Sequence, residues 1–400
     1  MLIMNNLNTQ AFFAFMNGSV IKQYISLYLF RFSFVFLLIS ISLTEGPAQS
    51  GCTDCQGTDS LELVKLYNFT NGANWINKWD LSQPMTDWYG VTLSNGRVVN
   101  LSLNSNGLVG RIPNFNLPNL QYLSLGFNQL NGVIPNFILP NLHYLWLNSN
   151  KLSGKIPYFN LPSLEYLWLN NNELIDTIPH FNLPHLKQLW LFSNRLSGKV
   201  PDLNLPNLQY LFLYSNELRG TIPNFRLPNL QYLDMNSNQL SGLIPNFSLP
   251  SLKVLWLNSN QLSGSIPNFS SLNLPNLQFL YLHSNQLSGA IPDFNLPNLQ
   301  NLVIHSNQLN GVIPSFNLPN LQLLSLSFNQ LSGAIPAFNL PNLQLLDLCD
   351  NQLSGCIPRE IKVKCPHIIP SISSIYHNAY LSTQNWANYW NNGEGACQRL

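Results

Sequence analysis

An asparagine returns along most of this chain with near-constant spacing, at Asn106, Asn128, Asn150, Asn172, Asn194, Asn216, Asn238, Asn260, Asn285, Asn307, Asn329 and Asn351. Successive copies are 22 residues apart, apart from one interval of 25. From Val98 onward each copy sits in Leu-x-x-Leu-x-Leu-x-x-Asn-x-Leu-x-Gly-x-Ile-Pro-x-Phe-x-Leu-Pro-x. A unit this short cannot bury its own apolar side. It is stable only when stacked on its neighbours, so the chain is expected to wind as one elongated solenoid.

Each position of the unit has a physical task. In Leu120-Gln-Tyr-Leu123-Ser-Leu125 the alternation predicts a short strand with Leu123 and Leu125 facing inward. Asn128 then turns the chain, and its amide is expected to satisfy main-chain groups the turn leaves unpaired, copy upon copy. Gly132 marks a tight backbone position, where Asp176 is the exception in its own turn. Ile134-Pro135 commits the chain to an extended return. Phe137 and Leu139 seal the outer side of the core. With two prolines per turn there is no room for an α-helix. The expected fold is therefore a parallel concave β-sheet of about twelve short strands, roughly 55 Å long, with an extended and 3₁₀ outer face and a cap at each end.

Four segments follow: 1–50 as an export signal, 51–97 as an amino-terminal cap, 98–357 as the repeats and 358–400 as a carboxy-terminal cap and tail. Lys22 and Arg31 precede the apolar run Phe32 to Leu43, and Ala48-Gln49-Ser50 offers small residues before Gly51. Cleavage before Gly51 is the favoured reading. An uncleaved anchor over Tyr24 to Leu43 and a lipid on Cys52 are the alternatives. A cleaved signal leaves no membrane span in the mature chain, and the expected location is secreted or at the cell surface. The six cysteines lie at the two ends, Cys52 and Cys55, then Cys349, Cys356, Cys365 and Cys397. In an exported chain they are disulfide candidates. A Cys52–Cys55 pair is preferred, with the pairing of the other four left open. Within the first cap, Asp59 to Asn68 reads as an amphipathic helix carrying Leu61, Leu63, Val64, Leu66 and Tyr67. Trp75, Trp79 and Trp88 read as cap packing ahead of ligand contacts.

The segment Asn260-Gln-Leu262-Ser-Gly264-Ser-Ile266-Pro267 resembles the plant-type leucine-rich repeat, Asn-x-Leu-Ser-Gly-x-Ile-Pro. The lead-in Leu66-Tyr67-Asn-Phe-Thr70-Asn-Gly72-Ala-Asn-Trp75, with Trp88-Tyr-Gly90-Val91, is similar to the amino-terminal cap of secreted bacterial and protist members. That resemblance implies binding through the concave or lateral face, as in receptors, adhesins and inhibitors of polysaccharide hydrolases. Because the period is 22, paired cap cysteines are lacking and no kinase domain is read after the repeats, a bacterial-like secreted protein is expected and a receptor kinase is not.

The strand pattern places a distinctive set of side chains on the concave side. Between the paired strand leucines stand Trp146, Trp168, Trp190, Phe212, Asp234, Trp256 and Tyr281 in successive turns. Two residues earlier lie Tyr144, Tyr166 and Tyr210, and two residues later Tyr214, with Asn148 and Asn170 among the amides of that row. This aromatic surface suits a glycan or an extended peptide, because flat rings give area at low entropy cost and amides give direction. Asp234 interrupts the run as a candidate acceptor. A structural ladder is the competing explanation, since aromatics on adjacent strands stabilise a sheet by stacking.

Other functions find little support. Charged residues make up 9% of the chain and its net charge is +1, with no basic cluster for nucleic acid. No nucleophile elbow, zinc-helix motif or phosphate loop is present, so no enzyme and no cofactor are expected. His283 and His305 stand one turn apart without a completing carboxylate, a weak case for a metal or pH-sensitive pair. The insertion at Ser270 to Asn273 reads as a duplication scar, and Asn-x-Ser/Thr triplets occur at Asn68, Asn100, Asn246 and Asn268. The chain is thus expected to be a binding module for an extracellular protein, peptide or polysaccharide. The alternative is a structural or adhesive repeat protein without a discrete ligand site.

Overall fold

The computed structural model describes residues 55–354. The export signal, the carboxy-terminal cap, Cys52, Cys356, Cys365 and Cys397 lie outside the described residues, as does the side chain of Cys55, and the expected disulfides fall there with them.

The described chain begins with helix α1 (Cys55–Phe69), followed by 3₁₀ turns at Gly72–Asn74 and Met85–Asp87. Leu63 and Leu66 of α1 are buried, but Leu61 is 64% exposed, so the apolar face is narrower than the sequence implies. The three cap tryptophans pack with Tyr67: Trp75 and Trp79 meet edge-on at 4.9 Å and Trp79 stacks on Trp88 at 4.8 Å. Each indole nitrogen donates to a main-chain carbonyl, Trp75 to Thr70 at 2.8 Å, Trp79 to Tyr89 at 2.8 Å and Trp88 to Asp80 at 3.1 Å. They are cap packing. Asp59, 1% exposed, locks α1 to the array by accepting from Arg97 Nε and Nη2 at 3.0 and 2.9 Å and from the Val98 amide at 2.8 Å.

Beyond the cap the chain forms two sheets. The concave sheet has thirteen strands in the order β1 (Val91–Ser94), β2 (Arg97–Ser102), β4 (Tyr122–Ser124), β6 (Tyr144–Trp146), β8 (Tyr166–Trp168), β10 (Gln188–Trp190), β12 (Tyr210–Phe212), β14 (Tyr232–Asp234), β16 (Val254–Trp256), β18 (Phe279–Tyr281), β20 (Asn301–Val303), β22 (Leu323–Ser325) and β24 (Leu345–Asp347). Only β1 is antiparallel; every later pair is parallel and in repeat register, as with Leu145 beside Leu167 and Trp146 beside Trp168. A second sheet of twelve parallel strands runs from β3 (Val109–Arg111) through β5 (Gln129–Val133) to β25 (Gln352–Ser354). It is built from the segment after each asparagine and had no counterpart in the sequence reading. Between the sheets the repeat leucines, isoleucines and phenylalanines form one continuous core. The outer path is extended, and each Leu-Pro-Asn-Leu closes a single 3₁₀-type turn, as in Leu142 N–H to Leu139 O at 3.1 Å.

The repeat asparagines form the expected ladder. Asn216 donates to Leu191 O at 3.1 Å and Leu213 O at 3.0 Å and accepts from the Leu196 amide at 3.0 Å, tying two neighbouring turns together. A second ladder runs along the outer edge, where the asparagine of Leu-Pro-Asn donates to the proline carbonyl of the preceding turn, as in Asn207 to Pro184 O at 2.8 Å. Before each buried asparagine one residue takes a left-handed conformation, as at Ser193 (φ 53°) and Ser215 (φ 54°). Asp176 holds φ 71° where other turns use glycine. It is tied there by Lys155 at 2.6 Å and by the Thr177 amide at 2.8 Å.

Candidate functional site

Parallel strands in register put like residues beside one another about 4.8 Å apart, a spacing close to that of stacked rings. The concave tryptophans accordingly stack face to face. Trp146 lies 4.2 Å from Trp168 with 4° between planes, and Trp168 lies 4.1 Å from Trp190 at 3°. Tyr144 stacks on Tyr166 at 4.6 Å, Tyr210 on Tyr232 at 4.8 Å and Phe192 on Tyr214 at 4.4 Å. Phe212 joins the column at 5.6 Å from Trp190. The ring faces are thus largely occupied by other rings, which leaves ring edges toward the groove. All of these rings are half-buried.

Polar atoms around the rings are unevenly matched. Trp168 Nε1 donates to Gln188 Oε1 at 3.2 Å, whereas Nε1 of Trp146 and of Trp190 are sealed from solvent without a hydrogen-bond partner. Burial raises the phenol pKa of Tyr144 and of Tyr210, with a neighbouring tyrosine adding to each, and pushes Tyr122 up to about 12. These phenols stay protonated and can donate. At the groove edge Lys187 bonds Glu165 across adjacent strands at 2.6 Å, which holds the ammonium above its usual range.

The structure gathers Tyr144, Trp146, Tyr166, Trp168, Trp190, Tyr210, Phe212 and Tyr214 into one connected cluster of parallel stacks that meet edge-on or at a tilt. Asp234 stands apart from that surface. It is 1% exposed and accepts both the main-chain and the side-chain N–H of Asn236, so it shapes the turn beneath the groove. Trp256 and Tyr281 form a separate pair at 5.6 Å, with Tyr281 only 7% exposed and its hydroxyl accepting from Asn301 at 2.9 Å. His283 and His305 stack at 4.4 Å, and burial, reinforced by its neighbour, holds the His283 pKa down at about 3. Among the described residues no three His, Cys, Asp or Glu side chains converge as a metal site, and no helix is long and apolar enough to cross a membrane.

A second surface went unread in the sequence. In the amino-terminal half the second sheet exposes charges in ladder register, such as Glu173 one strand from Arg195 at 3.9 Å. From Leu227 to Leu346 the only charged residues are Asp234, Lys253 and Asp293. There the same sheet exposes glutamine and serine, with Ser241 beside Gln261, Ser263 beside Gln286 and Ser288 beside Gln308. Total composition conceals this division; the order of the charges along the chain reveals it.

The fold and repeat chemistry together define a leucine-rich-repeat solenoid. A model described as leucine-rich repeats (2 copies) matches residues 140–183, 206–247, 228–273 and 250–294, and a single-repeat model matches 119–139, 320–339 and 342–363. The structure of PEPR1 with AtPEP1 aligns at 34% identity and TM-score 0.71, covering 76% of this chain and 46% of that one. That of the plant peptide hormone receptor RGFR1 with RGF2 aligns at 34% identity and TM-score 0.55, covering 65% and 48%. A plant ice-binding protein aligns at 28% identity and TM-score 0.59, covering 76% of this chain and 99% of that one. The chain thus spans less than half the length of the first two. Comparison with curated proteins gave no match. These alignments overturn the expected likeness to secreted bacterial or protist members. The solved structures it resembles are plant leucine-rich-repeat proteins.

Proposed function

We propose that this chain is a secreted or cell-surface binding module that takes an extended peptide segment along its concave sheet. The connected aromatic cluster from Tyr144 to Tyr214, with ring edges toward the groove, carries the reading. Sugars stack on ring faces, and these are engaged in the stacks, so a peptide is favoured over a glycan. Edges and apolar ring margins contact peptide side chains, while Tyr144, Tyr166 and Tyr210 supply phenol groups for its main chain; Asn148 and Asn170, expected among the polar contacts, are buried beneath the surface. RGFR1, a peptide hormone receptor, supports this assignment by its likeness. Screening the chain from Gly51 onward against a displayed peptide library is expected to yield binders that lose at least about tenfold in affinity when Trp168 and Trp190 both become alanine. Circular dichroism and a melting curve establish that the double variant is folded. Undiminished binding of every selected peptide to that folded variant would refute the reading.

A second reading rests on the other sheet. The protein covered along 99% of its length is described as ice-binding, and the carboxy-terminal half of the second sheet is a regular, uncharged array of amide, hydroxyl and small apolar groups. Such a face suits a flat uncharged lattice better than an ionic ligand. Crystal-shaping and recrystallisation assays on the intact chain test it, and a paired Ser263→Lys, Ser288→Lys variant is expected to lose the effect. Ice growing as it does in buffer alone would end this reading.

A further inference from the structure

Asn246 and Asn268 occupy the same place in consecutive turns, within Asn246-Phe247-Ser248 and Asn268-Phe269-Ser270. Phe247 and Phe269 are fully buried, and each anchors its turn while the asparagine before it is exposed on the outer path. Asn114, Asn136 and Asn224 stand at that place in other turns and are also exposed, but Asn116, Ile138 and Arg226 follow where a hydroxyl would be needed. The acceptor triplet of N-linked glycosylation therefore arises on the outer path in two adjacent turns only.

The insertion lies in the second of those turns, directly after Asn268-Phe269, with the turn of Asn246 beside it. Leu272 at its tip is 89% exposed, the most exposed of the large hydrophobic side chains among the described residues. Asn273 donates from Nδ2 to Asn246 Oδ1 at 3.3 Å, which brings the loop against the first acceptor and leaves Asn246 Nδ2, the nitrogen that is glycosylated, out of that bond. This region also lies in the stretch that is nearly without charge, where little else keeps an exposed leucine hydrated.

We infer that Asn246 and Asn268 carry N-linked glycans that cover the Leu272 loop. In the transfer, Nδ2 of each asparagine forms a C–N bond to the first sugar of a lipid diphosphate-linked oligosaccharide. The sugar–phosphate bond breaks, the lipid diphosphate leaves and the amide proton passes to base. Asn100 stays bare. It lies within β2 between β1 and β4, and its Oδ1 is sealed from solvent, so a glycan there is incompatible with the concave sheet. Asn68 lies in the last turn of α1 in the cap, far along the chain from this loop, and is no part of the inference.

The test is peptide mapping of the full chain secreted from a eukaryotic host, after enzymatic release of N-glycans in heavy-oxygen water. Labelled aspartate is expected at positions 246 and 268, with unlabelled asparagine at 100. The intact mass should fall by one glycan in Asn246→Gln, in Asn268→Gln and in Ser248→Ala. An unmodified Asn246 or Asn268, or a glycan at position 100 in folded secreted protein, overturns the inference. The covering role has its own readout. The Asn246→Gln, Asn268→Gln double variant is expected to self-associate on size exclusion, and adding Leu272→Ser should restore the monomer. If the double variant elutes as the parent does, the glycans do not serve to cover this loop.

Discussion

At the residue scale, asparagine does two different jobs in each turn, and burial separates their worth. Replacing Asn216 by alanine strands Leu191 O, Leu213 O and the Leu196 amide inside the molecule. A loss of about 3 kcal/mol or more is expected in a urea titration. Asn207 spans the same distance between turns on the exposed edge, where water replaces a lost bond, so Asn207→Ala should cost about 0.5–1 kcal/mol. Equal losses for the two would contradict the distinction. The first ladder was legible, because a polar residue at constant spacing inside an apolar pattern has to be satisfied by main chain. The second was not, since an asparagine after Leu-Pro reads as an ordinary turn residue. Asp176 was legible as an exception to the glycine pattern, but the ion pair to Lys155 that holds it depends on register between neighbouring turns.

At the scale of the element, parallel register converts repetition into stacking. The aromatic rows were readable from strand alternation, but their orientation was not, because a pattern of residue types does not specify which way a ring turns. Spacing near 4.8 Å between identical side chains decides it, and the tryptophans present edges where a ligand surface of faces had been expected. Coupled indoles give a strong near-ultraviolet circular dichroism couplet. Trp168→Ala, which removes the middle ring of three, should cut that couplet down to the share of the cap tryptophans, whereas Trp256→Ala should leave it at full strength. The second sheet was missed for a related reason. Gln-Leu-Ser-Gly has one inward residue and a glycine, a poor strand by composition, and it pairs only because the same backbone lies above and below it.

The histidine stack just past the ends of β18 (Phe279–Tyr281) and β20 (Asn301–Val303) belongs to the same scale. His283 titrates at about 3 when folded against 6.5 for the free side chain, and His305 is also lowered by burial, with Asp347 opposing the shift. Below pH 6.5 the unfolded chain takes up protons that the folded chain refuses. Stability is therefore whole above that value and falls as the pH drops toward 3, by up to about 1.4 kcal/mol per unit from His283. Denaturant midpoints measured across that range should decline, and His283→Gln should flatten the decline. A parent midpoint independent of pH would rule out the half-buried neutral pair.

At the scale of the whole molecule, each turn touches only its neighbours, so order is held locally and the cap matters most to the turns beside it. Asp59 is the clearest place to see this. Its buried carboxylate holds Arg97 and the Val98 amide, and Asp59→Ala leaves that guanidinium without its partner, a change expected to cost about 3 kcal/mol at the amino-terminal end. In a globular core that loss would be shared by every residue. In a stack it should spread by opening the array from the end, since β2 loses its clamp while β4 and β6 still have sheet on both sides. Hydrogen exchange on the variant is expected to show faster exchange at Val98 to Ser102, a weaker effect at Tyr122 to Ser124 and none at Leu323 to Ser325. Uniform acceleration along the whole array would mean that the turns unfold as one cooperative unit, and the nearest-neighbour account of this solenoid would fail.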